Sequence, residues 1–132
     1  MRTDIWSFGC IVSEILQAVL REEQGDKSES TILFEGSYCF PVSPKQNENK
    51  EFVVSSREQL IKIMEVLDPE GETLGRSYFD RPDMHDFYKF CATQVKGGKK
   101  SNLKSLHKGI STEWYQLLDG CLQMDPSTRF NF

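Results

Sequence analysis

The sequence predicts a mainly α-helical fold. Three segments repeat large apolar residues at helical spacing, and no segment shows the strict alternation, hairpin turn or internal repeat of a β or solenoid architecture. Long polar connections separate these few helices, which is more connecting chain than a small helical domain normally uses. At 132 residues, 38% hydrophobic and 27% charged, the chain has room for one modest core. It is therefore expected to be one domain, or part of one.

The first helix is read from residues 5–20, IWSFGCIVSEILQAVL, the most apolar stretch. Its large residues, Ile5, Trp6, Phe8, Ile11, Val12, Ile15, Leu16, Val19 and Leu20, do not keep to one stripe, which predicts a helix in the middle of a core. Asp4 immediately precedes it, placed to cap its free N–H groups. Gly9 in the interior costs about 1 kcal/mol relative to Ala, so its presence predicts close approach by another element. A signal peptide or membrane anchor is not expected. Acidic Asp4 sits where a basic region belongs, Glu14 and Gln17 interrupt the run, and it falls short of the about 20 mostly apolar residues that a span requires.

Residues 21–31, REEQGDKSEST, read as an exposed loop, and Leu33-Phe34-Glu35-Gly36 returns two large apolar residues as an anchor. Residues 41–50 hold two prolines in their first four positions and exclude both helix and central strand. A second helix follows, with Ser55 or Ser56 as its cap and Leu60, Ile61, Ile63, Met64 and Leu67 at helical spacing, ending at Asp68-Pro69. Between 70 and 109 the pattern weakens to one short helix near residues 84–93 and a basic loop, VKGGKKSNLK. The last helix starts at Ser111 or Thr112, carries Trp114, Leu117, Leu118, Cys121 and Leu122, and stops at Asp125-Pro126. In outline the chain is one unit over 1–132, with an extended loop region at 21–56 and a variable segment at 68–110.

A formal net charge of −4 argues against a nucleic-acid binder, whose footprint is basic. The four cysteines, Cys10, Cys39, Cys91 and Cys121, are widely separated without a C-x-x-C pair, and reduced thiols in an intracellular protein suit them, although an even count also permits disulfides in a secreted chain. Gly97-Gly98-Lys99-Lys100-Ser101 is a solvated basic loop rather than a phosphate loop, since Gly-Lys is followed by Lys and no glycine lies five residues before Gly98. His85 and His107 are isolated from any nucleophile motif, and Asp83, His85 and Asp86 lack the i, i+4 spacing of a helical metal pair, so all read as surface groups. Ser43-Pro44 is a weak candidate for phosphorylation.

Four motifs in order resemble the C-terminal part of the large lobe of a protein kinase. Asp4-Ile5-Trp6-Ser7-Phe8-Gly9 resembles the D-x-W-S-x-G that opens that lobe's central helix, and Cys10-Ile11 with Glu14 continues as in MAP and cyclin-dependent kinases. Leu33-Phe34-Glu35-Gly36 is similar to the L-F-P-G of that group, and Gln59-Leu60-Ile61-Lys62-Ile63 to its Q-L-x-x-I. Leu117-Leu118 through Asp125-Pro126-Ser127-Thr128-Arg129 resembles the L-L-x-x-x-L-x-x-D-P-x-x-R near the end of kinase domains. Singly, each has a plainer role: Asp4 a cap, Trp6 a core aromatic, Arg129 a solvated charge. Their order and spacing favour the family.

The resemblance implies a partial kinase large lobe in which Asp4, Trp6, Gly9 and Arg129 are structural supports. The aspartate matching Asp4 accepts hydrogen bonds from the catalytic loop, the arginine matching Arg129 pairs with the A-P-E glutamate, and Trp6 packs beneath the activation segment. No catalytic, cofactor-binding or metal-binding residue is carried over, because no G-x-G-x-x-G, V-A-I-K, H-R-D, D-F-G or A-P-E occurs in the 132 residues. Two loops are longer than in typical MAP kinases, and Leu67-Asp68-Pro69 replaces the L-G-T-P turn. By family, the complete protein is a serine/threonine kinase using ATP and Mg, with protein substrates or docking partners, no nucleic acid and no membrane, in the cytoplasm or nucleus. This chain alone is expected to be inactive. The alternative is a non-catalytic lobe remnant that binds proteins.

Overall fold

Helix-permissive sequence runs further at both ends of the first helix, and at the start of the second, than the apolar spacing marks. The computed structural model describes residues 2–27, 32–36, 51–95 and 103–131, and for 51–57 the backbone only. Helix α1 spans Arg2–Gln24, α2 Glu51–Leu67, α3 Pro82–Gln94, α4 Leu103–Leu106 and α5 Thr112–Cys121, with short 3₁₀ turns at Arg76–Tyr78 and Pro126–Thr128. The chain is mainly helical, with no strand among the described residues. It divides into two compact units, Met1–Leu33 with Ser101–Phe132, and Phe34–Lys100.

In the first unit α1 corrects three expectations. Asp4 lies inside its first turn and is exposed, because the helix already begins at Arg2, so it is not the residue before the helix. Arg21-Glu22-Glu23-Gln24, expected as loop, continues the helix, since all four are good helix formers. Gly25 then ends it at φ 67°, with its N–H donating to Glu22 O at 3.2 Å and that of Asp26 to Arg21 O at 2.9 Å. These two bonds form a Schellman motif, which requires the left-handed residue that glycine supplies.

The third correction concerns burial. The face of α1 that is fully covered holds Gly9, Ser13, Leu16 and Gln17, while Phe8, Ile11, Ile15 and Val19 stay exposed, Ile11 and Ile15 at 58% each. The helix is thus not buried on all sides, because α5 and the 3₁₀ turn at Pro126–Thr128 meet only one of its faces. That meeting is close. A Cβ on Gly9 would lie 2.8 Å from Cys121 Cβ and 2.9 Å from Leu122 Cδ2, as its interior glycine predicts. By length and composition α1 also suffices to cross a bilayer, a test that core helices of soluble proteins pass as well.

Helix α5 starts with Ser111 at its N-cap and buries Leu118 and Cys121, followed by buried Leu122, as the spacing predicts, whereas Trp114 is exposed. It stops before Asp125-Pro126, where the Asp125 carboxylate accepts the Ser127 N–H at 2.7 Å and caps the 3₁₀ turn. Gly120 is pressed against Phe130: an added Cβ would sit 2.2 Å from its ring, and the Phe130 N–H donates to Gly120 O at 2.9 Å.

In the second unit α2 begins at Glu51, so Ser55 and Ser56 lie within it rather than capping it; no glycine or proline breaks the run from Glu51 to Leu67. It ends at Leu67, as Asp68-Pro69 predicts, and packs on α3. Helix α3 is the short helix expected near 84–93, lengthened by Pro82 at its first position, where a missing N–H costs nothing. Met64, Val66, Leu74, Tyr88 and Cys91 are buried there, together with Phe34, whose carbonyl accepts from Gln59 Nε2 at 3.1 Å. Phe34 therefore anchors the returning chain. Cys39, Ser43-Pro44 and the loop Gly97-Gly98-Lys99-Lys100-Ser101 lie outside the described residues.

Candidate functional site

The motifs at the two ends of the sequence converge in the first unit. The Arg129 guanidinium lies 4.6 Å from the centre of the Trp6 ring, within cation–π range. Its Nε donates to Gln123 O at 2.9 Å and an NH group to Arg2 O at 3.2 Å, while Arg2 donates to Pro126 O. The planar fork of Arg129 thus ties the end of α5 to the start of α1, which a lysine lacks the geometry to do. One helical turn on, Gly9 admits Cys121 and Leu122. Trp6, Gly9 and Arg129 therefore belong to one junction. Asp4 does not join them, because residues 4 and 6 point about 160° apart around a helix of 3.6 residues per turn.

Cys10 at this junction is half-buried and free. Burial pushes its thiol up, Glu14 adds to the effect and Arg129 partly offsets it. Burial alone raises the Cys121 thiol. Both shifts disfavour the thiolate, so neither sulfur has the electropositive setting of a nucleophile. Asp125, at the rim of the junction, is held below the ordinary aspartate value by the Ser127 hydroxyl first and the Ser127 N–H second, with Arg2 and Arg129 also lowering it.

A second polar cluster went unread in the sequence. His107, expected at the surface, is buried, and its Nδ1 lies 2.7 Å from the Leu103 carbonyl. A carbonyl only accepts, so Nδ1 carries a proton, and in the neutral ring Nε2 then accepts from the buried Ser13 hydroxyl at 2.8 Å. Gln17 Nε2 donates to the same hydroxyl at 3.2 Å. Nucleophile, base and orienter are all present in this row of atoms. They are not reachable. Ser13 is 0% and His107 1% exposed, and the pocket of about 200 Å³ that touches His107 beside Lys104 and Tyr115 is not lined by Ser13. The cluster clamps α1 to the turn after α4. Its signal in the sequence is Ser13 and Gln17 four residues apart within the most apolar helix, a pair that requires a polar partner if buried.

The second unit is organised by Asp68, also missed. Its carboxylate is buried and accepts the N–H groups of Glu72 at 3.0 Å and Thr73 at 3.2 Å, and the hydroxyl of Tyr88. Lys89 Nζ donates to Gly71 O at 2.7 Å. Gly71, at φ 65°, leaves no room for a side chain, since a Cβ would lie 2.6 Å from that of Ala92. His85 is partly covered, edge-on to Phe79 at 5.6 Å between ring centres. Asp83 is exposed, its carboxyl lowered chiefly by the hydrogen bond from Arg81. Among the described residues, no group of three or more His, Cys, Asp or Glu side chains is placed to hold a metal ion.

No family model matches the chain, and neither a curated protein nor a solved structure of significant similarity was found.

Proposed function

We propose that the chain is the C-terminal part of the large lobe of a serine/threonine protein kinase of the MAP kinase and cyclin-dependent kinase type. The observation that supports this reading is the junction of Arg129 with Trp6 and of Gly9 with Cys121 and Leu122. Motifs more than a hundred residues apart, each kinase-like in sequence, meet at one end of α1. In this reading Trp6, Gly9 and Arg129 hold the lobe together, and Asp4, exposed on α1, presents its carboxylate to a catalytic loop. ATP, Mg and protein substrates are handled by the complete kinase, and the site of function is intracellular.

Two measurements test the reading. Coding sequence for H-R-D, D-F-G and A-P-E in frame ahead of Met1 supports it, and a genuine start at Met1 counts against it. For residues 1–132 alone, Mg-ATP is expected to leave the melting temperature unchanged and no phosphate is expected to be transferred; incorporation that survives purification would refute the claim of inactivity. A non-catalytic protein-binding module is the second reading, favoured by the exposed apolar face of α1.

A further inference from the structure

We propose that the cavity at the C-terminal end of α1 binds a small monocarboxylic acid that carries a hydroxyl group on an apolar body. The cavity measures about 430 Å³, the size of a small-molecule pocket, and lies wholly within the first unit. Gln17, Leu20 and Arg21 of α1 line one wall, and Leu106 and Lys108 the other. The two walls are pinned together at their inner end by the contact of Ser13 with His107. Around the helix, Gln17 points about 120–180° away from Phe8, Ile11, Ile15 and Val19. The cavity is therefore on another side of α1 than the apolar stripe that, in the kinase reading, upstream segments cover.

Gln17 sets the chemistry. It is 7% exposed, and its Nε2 donates to Ser13 Oγ at 3.2 Å. The single Ser13 proton goes to the neutral His107 ring, so Ser13 can only accept from Gln17, and the amide presents its nitrogen to the cluster. Its Oε1 is thereby turned away, and no donor among the described residues reaches it. A buried acceptor of this kind calls for a partner. A hydroxyl suits it better than an ammonium group, which Arg21 and Lys108 in the same lining repel. Lys108 Nζ enters no hydrogen bond or ion pair among the described residues and is open to a carboxylate. Exposed Asp26, also in the lining, disfavours a second negative charge, which restricts the ligand to a monoanion. Leu20 and Leu106 supply apolar surface for its body.

The proposal stands apart from the kinase reading, which coding sequence and phosphate transfer decide. The test titrates three probes into the isotope-labelled whole chain, in trimethylamine N-oxide where folding requires it, and follows the amide resonances. The probes are p-hydroxyphenylpropionate, phenylpropionate, which lacks the hydroxyl, and tyrosol, which lacks the carboxylate. The first is expected to bind with a Kd of about 1 mM and the other two about threefold to tenfold more weakly, each being short of one polar contact. Shifts are expected at Gln17, Arg21 and Lys108. Lys108→Met, at an exposed position, brings p-hydroxyphenylpropionate down to the affinity of tyrosol. Gln17→Met brings it down to that of phenylpropionate. Where that variant disturbs the contact of Ser13 with His107, the comparison of the three probes on the unaltered chain decides alone. Equal affinity for all three, shifts confined to residues outside the cavity, or no shift at about tenfold the expected Kd, whatever the chain's helicity, overturns the proposal.

Discussion

The Ser13 hydroxyl donates to Nε2 of His107 across 94 residues of sequence, at 2.8 Å and out of reach of solvent. Ser13→Ala leaves a buried imidazole nitrogen without its donor, which costs about 1–3 kcal/mol. His107→Leu removes the ring and its donation to Leu103 as well. The double variant is expected to lose less than the sum of the two, measured by urea unfolding, in trimethylamine N-oxide where the chain alone is too weakly folded.

Gly9→Ala sets two effects against each other. Alanine gains about 1 kcal/mol in helix propensity, but its Cβ meets Cys121 and Leu122 inside 3 Å, and overpacking costs about 1–3 kcal/mol. The second effect wins, so the variant is less stable by up to about 2 kcal/mol. A rise in midpoint would show that α5 yields at no cost.

Asp68 and Tyr88 are expected to be coupled in the second unit. Tyr88→Phe deprives a buried carboxylate of a donor, and Asp68→Asn weakens acceptance from the Glu72 and Thr73 N–H groups; each costs about 1–3 kcal/mol. Amide exchange should accelerate at Glu72 and Thr73 in either variant. A coupling energy near zero in the double-mutant cycle would deny the contact.

The turn at Pro126–Thr128 carries an acid-sensitive cap. The Asp125 pKa is depressed in the folded chain, so its contribution is complete above the ordinary aspartate value of 3.8 and is lost as pH falls through the lower, folded value. The Ser127 amide resonance is expected to follow that titration, and Asp125→Asn to abolish it. A midpoint at or above the ordinary value contradicts the hydrogen bonds described.

Phe8, Ile11, Ile15 and Val19 leave apolar surface wet at about 25 cal/mol for each Å², against a stability of about 5–15 kcal/mol for a whole domain. Purified residues 1–132 are expected to melt broadly. A sharp calorimetric transition with dispersed amide resonances would count against this.

Helices α1, α2, α3 and α5 were legible because their apolar spacing is local, and Pro69, Ser111 and Asp125 punctuate the second and the last of them. Gly9 announced its neighbour by its cost. Helix ends were less legible: Arg21 to Gln24 and Glu51 onward are polar or plain helix formers, permissive of helix and loop alike. His107 and Asp68 were missed for a different reason. Whether a polar side chain is buried depends on partners distant in sequence, Ser13 for one and Tyr88 for the other, and periodicity carries no record of them. The burial of α1 was misjudged likewise, since apolar composition tells which residues seek cover and not which receive it.

That α1 leaves Phe8, Ile11, Ile15 and Val19 exposed has a practical corollary for anyone handling the protein. Its grip on α5 depends on Gly9, while the apolar side chains it leaves exposed, Phe8, Ile11, Ile15 and Val19, take no part in that grip. Solubility and internal packing are therefore separable in this helix, and hydrophilic residues at positions 11 and 15 would give a chain that concentrates well with its α1–α5 contact intact.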